Sequence, residues 1–109
     1  MFNKKLQATV NINNDGTFLS NNLKELHLEY YIVENDLIDK EQSYQGKAYG
    51  VEIVKKELMK DNNTYIENKL IENIYCCEHK MEKLVEKLAH HTVTPVGLSN
   101  VLEDIVGIF

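Results

Sequence analysis

The sequence predicts an α+β domain, an antiparallel sheet of about four strands with two C-terminal helices packed on one face. Three observations predict it. Four stretches before residue 76 carry apolar side chains at a period of two, the period becomes helical from residue 78, and most junctions are short and rich in Asn, Asp or Gly. Strands followed by helices, rather than strands alternating with them, place both helices on one face and leave the other to solvent.

The first strand is read from Leu6 to Asn13. Leu6, Ala8, Val10 and Ile12 alternate there with Gln7, Thr9, Asn11 and Asn13, the pattern of a half-buried strand. Asn13, Asn14, Asp15 and Gly16 tolerate positive φ and turn the chain back. A second strand runs from about Lys24 to Val33. Leu26, Leu28, Tyr30 and Ile32 face the core, and Glu25, His27, Glu29, Tyr31 and Val33 face away. Glu34 to Lys47 is polar and net acidic with no sustained period. It reads as a long loop, either mobile or a place where a partner binds.

Tyr49, Val51 and Ile53 resume the alternation, and this third strand continues through Val54 to about Leu58. Asp61, Asn62 and Asn63 form a turn into a fourth strand, Thr64 to Tyr75. Its alternation slips between Ile66 and Ile71, as a bulge or a helical stretch would make it do. From Glu78, at about 100° per residue, Met81, Leu84, Val85 and Leu88 share an arc of roughly 100°. Glu78, Glu82 and Glu86 flank that arc on one side and Lys80, Lys83 and Lys87 on the other, a solvated flank in the ordinary reading. Thr94 before Pro95 bounds the next element, with Gly97 as an alternative cap. The last helix carries Leu98, Val101, Leu102, Ile105, Val106 and Phe109 on one face as far as the C-terminus.

At 109 residues the chain is expected to be one domain spanning 1–109, large enough to bury about two thirds of its surface. It carries 12 Lys against 17 Asp and Glu, a net charge of −5, and no Arg. That balance opposes phosphate backbones and lacks the guanidinium fork that reads them, so nucleic acid is not an expected partner. Lys, Asn and Ile are plentiful, the residue usage of a low-GC genome. No cationic apolar leader follows Met1 and no apolar run approaches 18 residues. The expectation is a cytoplasmic chain with reduced thiols and no membrane partner.

Leu28-Glu-Tyr-Tyr-Ile-Val-Glu34, Tyr49-Gly-Val-Glu-Ile-Val-Lys-Lys56, and Leu88-Ala followed by Thr92-Val-Thr-Pro-Val96, Leu98 and Val101-Leu-Glu-Asp104 together resemble a family of small uncharacterised single-domain proteins of low-GC Gram-positive bacteria. The blocks span most of the chain from residue 28, and the Thr-Val-Thr-Pro junction is the distinctive one. The resemblance implies a single small domain with no assigned activity, so it transfers no catalytic residue. The segment Asn35 to Lys47 is longer than that pattern, and Cys76-Cys-Glu-His79 lies outside it.

The only cluster of soft ligands is Cys76, Cys77, His79, His90 and His91. A zinc site needs four such groups converging, yet His79 and His90 lie eleven residues apart, about 16 Å along a helix. Cys76, Cys77 and His79 remain weak metal or redox candidates. The ordinary reading is two exposed histidines, His79 and His90, with His91 at the edge of the apolar stripe, one buried thiol and one exposed thiol, and no cofactor. Ser20, Ser43 and Ser99 lack a nucleophile elbow, Glu25, Glu29 and Glu52 sit on polar strand faces, and the five glycines form no phosphate loop. No catalytic constellation is found, and the expectation is a non-enzyme.

What remains is the second sheet face. Tyr31, Val33, Val54 and Tyr65 are expected there, on a face that one-sided helix packing should leave polar. Either a protein partner or a second copy covers them, or Phe18 to Leu23 and Leu37 to Tyr44 fold back over them. The expected function is a small protein-interaction or regulatory module acting through the uncovered sheet face, with a homodimer as one form of that interaction. The alternative is a metal- or redox-active protein built on Cys76, Cys77 and His79. A small-molecule binder using the same apolar face is a third reading that sequence does not separate from the first.

Overall fold

A computed structural model describes residues 2–13, 22–39 and 44–107. Its elements are β1 (Phe2–Asn13), β2 (Leu23–Asp39), β3 (Tyr44–Met59), β4 (Thr64–Tyr75), α1 (Glu78–His90) and α2 (Leu98–Val106). The strands form one antiparallel sheet in the order β1-β2-β3-β4, each paired with its sequence neighbour. The expected α+β architecture is the one observed.

The core lies between one sheet face and the helices. Leu28, Tyr30 and Ile32 of β2 and Tyr49, Val51 and Ile53 of β3 meet Met81, Leu84, Val85 and Leu88 of α1, Val93, and Leu98 and Leu102 of α2. Alternate residues contribute because a pleated strand sends successive side chains to opposite faces. A 13-residue helix is marginal alone, whereas burying each of its four apolar side chains contributes about 1.5–3 kcal/mol. Docking, not propensity, therefore holds α1. The apolar stripe of α2 is only partly used, since Leu98 and Leu102 are buried while Ile105 stays exposed. The helix also stops at Val106, where Gly107 takes the left-handed conformation at φ 85° and caps it, short of the expected run to the C-terminus.

α1 ends in a Schellman motif. The Val93 N–H donates to Leu88 O and the Thr92 N–H to Ala89 O, both at 3.0 Å, with Leu88 and Val93 buried against the core. The motif forces Thr92 to φ 53°, a conformation that costs a β-branched residue about 1–2 kcal/mol. Glycine relieves that strain but adds unfolded-state entropy of about 0.5–1 kcal/mol. Thr92→Gly is therefore expected to stabilise the fold by about 0.5–1 kcal/mol, read as a rise in the urea midpoint with unchanged slope. A lowered midpoint would show that the threonine side chain contributes more than its backbone costs.

Three registers depart from the expected pattern. Leu6 pairs with Tyr31 but Ala8 pairs with Tyr30, so Gln7 is an extra residue, and the bulge puts Leu6 on the face opposite Ala8, Val10 and Ile12. The polar segment 34–47 is not a long loop. β2 runs on to Asp39 and β3 starts at Tyr44, pairing as a hairpin arm whose tip, 40–43, lies outside the described residues. Among the arm's residues of described burial, Glu34, Asn35, Leu37 and Gly46 are partly buried and Asp36 and Lys47 exposed, so no fully buried apolar set imposes an alternation there. In β4, Ile66 and Leu70 pair with Lys56 and Glu52 while Ile71 pairs with Val51, so the slip reflects apolar residues on both faces of a regular strand. The irregularity comes later, between Ile71 and Tyr75, where Asn73 adopts φ 57°. At the β3–β4 turn, Asn62 is left-handed at φ 70° and Asp61 Oδ1 accepts the Asn63 N–H at 3.0 Å, as the Asp-Asn-Asn sequence predicts.

Candidate functional site: the uncovered sheet face

Register assigns the face that the helices leave open. One row crosses all four strands as Leu6, Tyr31, Glu52 and Leu70, and the next as Thr9, Glu29, Val54 and Asn68. A third runs Asn11, His27, Lys56 and Ile66. Ahead of the first row, Lys4 pairs with Val33 and Val33 with Gly50.

Tyr31, Val33 and Val54 thus share the open face, but Tyr65 does not. It pairs with Glu57, two residues along from Lys55 and four from the core residue Ile53, and so belongs to the helix-bearing side. Nor is Val33 available, being only 1% exposed. Its cross-strand neighbour Gly50 is overlaid by the backbone of the β4 bulge, and Ala48 beside it is equally buried. The apolar side chains that do reach solvent here are Leu6 at 48%, Ile66 at 64% and Leu70 at 37%, none of which sequence reasoning singled out for this face. For Ile66 and Leu70 the signal was present in the broken alternation of β4. Leu6 is re-aimed by a bulge that nothing in Leu-Gln-Ala announces.

Of the segments expected to fold back over this face, Leu37–Asp39 and Tyr44 lie within β2 and β3, and Leu23 starts β2 as a buried residue. Phe18 to Asn21 lies outside the described residues.

Polar groups fill the gaps between the apolar ones and are paired among themselves. Lys4 Nζ sits 4.3 Å from the Tyr31 ring centroid and reaches across it to Glu52 Oε1 at 2.7 Å. Asn68 donates to Glu52 Oε2 at 2.9 Å. The Tyr31 hydroxyl donates to Glu29 Oε1 at 3.0 Å, Lys56 Nζ lies 3.4 Å from the same oxygen, and His27 Nε2 is 3.3 Å from Oε2. His27 Nδ1 also meets Asn11 Oδ1.

Burial opposes ionisation of both carboxyls, but the donors outweigh it. Lys4 and Asn68 hold Glu52 below its ordinary value, and Tyr31, His27 and Lys56 do the same for Glu29. Burial and the bond to Glu29 raise the Tyr31 hydroxyl. A carboxyl whose folded pKa is lowered contributes stability above its unfolded value of 4.5, and that contribution is lost as pH falls through the folded pKa. Unfolding midpoints should therefore drop below about pH 4.5. Glu29→Gln/Glu52→Gln should start lower at neutral pH and drop less over that interval. An equal drop in both proteins would remove these two carboxylates from the acid response.

The Cys76, Cys77 and His79 segment is not assembled into a site. Both cysteines are free and exposed, which corrects the expectation of one buried thiol, and His79, His90 and His91 all face solvent. Among the described residues no three His, Cys, Asp or Glu side chains are placed to hold a metal ion. Cys77 is the N-cap of α1, without a side-chain capping bond.

A model of a family of unknown function, DUF6514, matches residues 10–107. The chain belongs to DUF6514. The match takes in β1 from Val10, which the resemblance left out, and spans both the β2–β3 hairpin and the Cys-Cys-Glu-His segment. No curated protein and no solved structure matches this DUF6514 chain. Among its described residues no helix is long and apolar enough to cross a membrane.

Proposed function

We propose that this DUF6514 chain is a non-catalytic protein-interaction module that self-associates by packing its uncovered sheet face against the same face of a second copy. The observation that carries the reading is the row Leu6, Tyr31, Glu52 and Leu70, with Ile66 two rows away. Three large aliphatic side chains are exposed there on a sheet face, between charges that already have partners. Paired charges support a protein surface over a phosphate-binding one, because among the described residues of this face Lys4 and Lys56 both have carboxylate partners.

A second copy suits the face for two reasons. Sheets pack face to face about 10 Å apart through interdigitating side chains, and a two-fold interface needs one self-complementary patch of mixed chemistry, as here. The molecular outline is 54 × 27 Å in its longer dimensions, so a standard interface of roughly 800 Å² per partner takes little more than half of it. Two free thiols support a reducing, cytoplasmic location, and the Lys-, Asn- and Ile-rich, Arg-free composition supports an origin in a low-GC Gram-positive bacterium.

Light scattering over a concentration series is expected to give a dimer mass for the wild type at high concentration and a monomer mass for Leu6→Lys/Leu70→Lys. Both residues are exposed, so the substitutions leave the core intact. A wild-type monomer mass at every concentration sinks the proposal and leaves a different protein as the face's occupant.

A further inference from the structure

The other side of the molecule carries a second unassigned surface. Tyr75 at the end of β4, Leu84 of α1 and Ile105 of α2 line a shallow groove of about 240 Å³, together with Lys80, Lys83 and Lys87 of α1. Leu84 is buried and forms the floor, Tyr75 is half-buried, and Ile105 at the edge of the α2 stripe remains 37% exposed. The three lysines are exposed and, among the described residues, none is within ion-pair distance of a carboxylate. This concentration of cations is set in a chain of net charge −5.

Groove and lysines together define the ligand. The volume is below the roughly 300–1,000 Å³ of pockets that enclose a small molecule, and an open groove of this size instead takes apolar side chains from a larger partner. The lack of Arg removes the bidentate fork that favours phosphate recognition, which disfavours a nucleic acid. Lys80, Lys83 and Lys87 are spaced i, i+3 and i+7, about 10 Å along the α1 axis, which is also the spacing of carboxylates at i, i+3 or i+4, and i+7 on a partner helix.

We propose that this groove docks an acidic amphipathic helix of a partner protein. Its apolar residues seat on Tyr75, Leu84 and Ile105, and its carboxylates meet Lys80, Lys83 and Lys87. The mode is helix-in-groove recognition, with apolar anchors for affinity and charge complementarity for choice of partner and encounter rate. It is independent of the sheet face, so one can fail without the other.

Fluorescence anisotropy of the whole chain with a dye-labelled 15-residue peptide tests it, the peptide carrying Leu at i, i+4 and i+7 flanked by Glu. Saturable binding that weakens with added salt is expected. The affinity should fall at least about tenfold in Lys83→Glu/Lys87→Glu and several-fold in Ile105→Ser, and stay unchanged in Leu6→Lys/Leu70→Lys. Circular dichroism verifies folding, and Lys83→Gln/Lys87→Gln substitutes if charge reversal unfolds α1. Three results each overturn the proposal. They are absence of saturable binding, equal affinity in the lysine variants, and equal affinity for a peptide with every Glu replaced by Lys. Co-sedimentation with phosphatidylglycerol vesicles in place of peptide binding overturns it too, and reassigns the lysines to a membrane surface.

Discussion

Gly50→Ala is expected to destabilise the fold by about 3 kcal/mol, at the upper end of overpacking effects, because what the new methyl meets is backbone. A Cβ at this position would lie 2.1 Å from Ile71 O and 2.7 Å from Glu72 Cα, closer than any side-chain rotation can relieve. The bulge between Ile71 and Tyr75 brings β4 over Gly50, so the strand must move away and give up pairing on both sides of the bulge. Urea unfolding measures the loss. Hydrogen exchange should show amide protection falling in β4 before β2, since β2 keeps its pairing with β1 and the core. A stability change under about 1 kcal/mol would mean that the bulge has room to relax.

Tyr30→Ala is expected to cost about 3–5 kcal/mol, the range for truncating a large buried aromatic side chain. Tyr30 is fully buried at the centre of the core, and its hydroxyl donates to Val93 O at 2.8 Å. That bond ties the middle of the sheet to the segment between α1 and α2. Tyr30→Phe separates the two contributions. It keeps the ring and leaves the Val93 carbonyl without its donor, at a cost of about 1–3 kcal/mol. Burial pushes the Tyr30 hydroxyl up to about 12, so it stays protonated and donating at any ordinary pH. A Tyr30→Phe protein as stable as wild type would show that the carbonyl finds another donor.

How much of this was legible varies by element. The start of α1 at Glu78 and its buried set, Met81, Leu84, Val85 and Leu88, were read to the residue, because 3.6-residue periodicity survives where one helix face is covered. Leu28, Tyr30, Ile32, Val51 and Ile53 were legible for the same reason, since they lie beneath the helices. The segment 34–47 was misread as a loop because its described residues include no fully buried side chain, and without a buried apolar side there is no alternation on which a strand assignment rests. The candidate face suffered most. Tyr65 was placed on the wrong side, Val33 was counted as available when it is buried, and Leu6, Ile66 and Leu70 were missed. The Leu6 error comes from strand parity, since one extra residue exchanges the two faces for everything beyond it, whereas Val33 was placed on the right face and is buried there beside Gly50 and Ala48.

By itself the sequence determined the class of the fold, its two helices, and the identity of the core, because each is written in local periodicity that burial on one side imposes. It also determined a net acidic chain without Arg. Tertiary structure alone decided which apolar side chains reach solvent and where the charges find partners. Those properties depend on the bulges at Gln7 and between Ile71 and Tyr75 and on how far the helices extend over the sheet. Such shifts follow from the packing of neighbouring strands, which no single segment encodes.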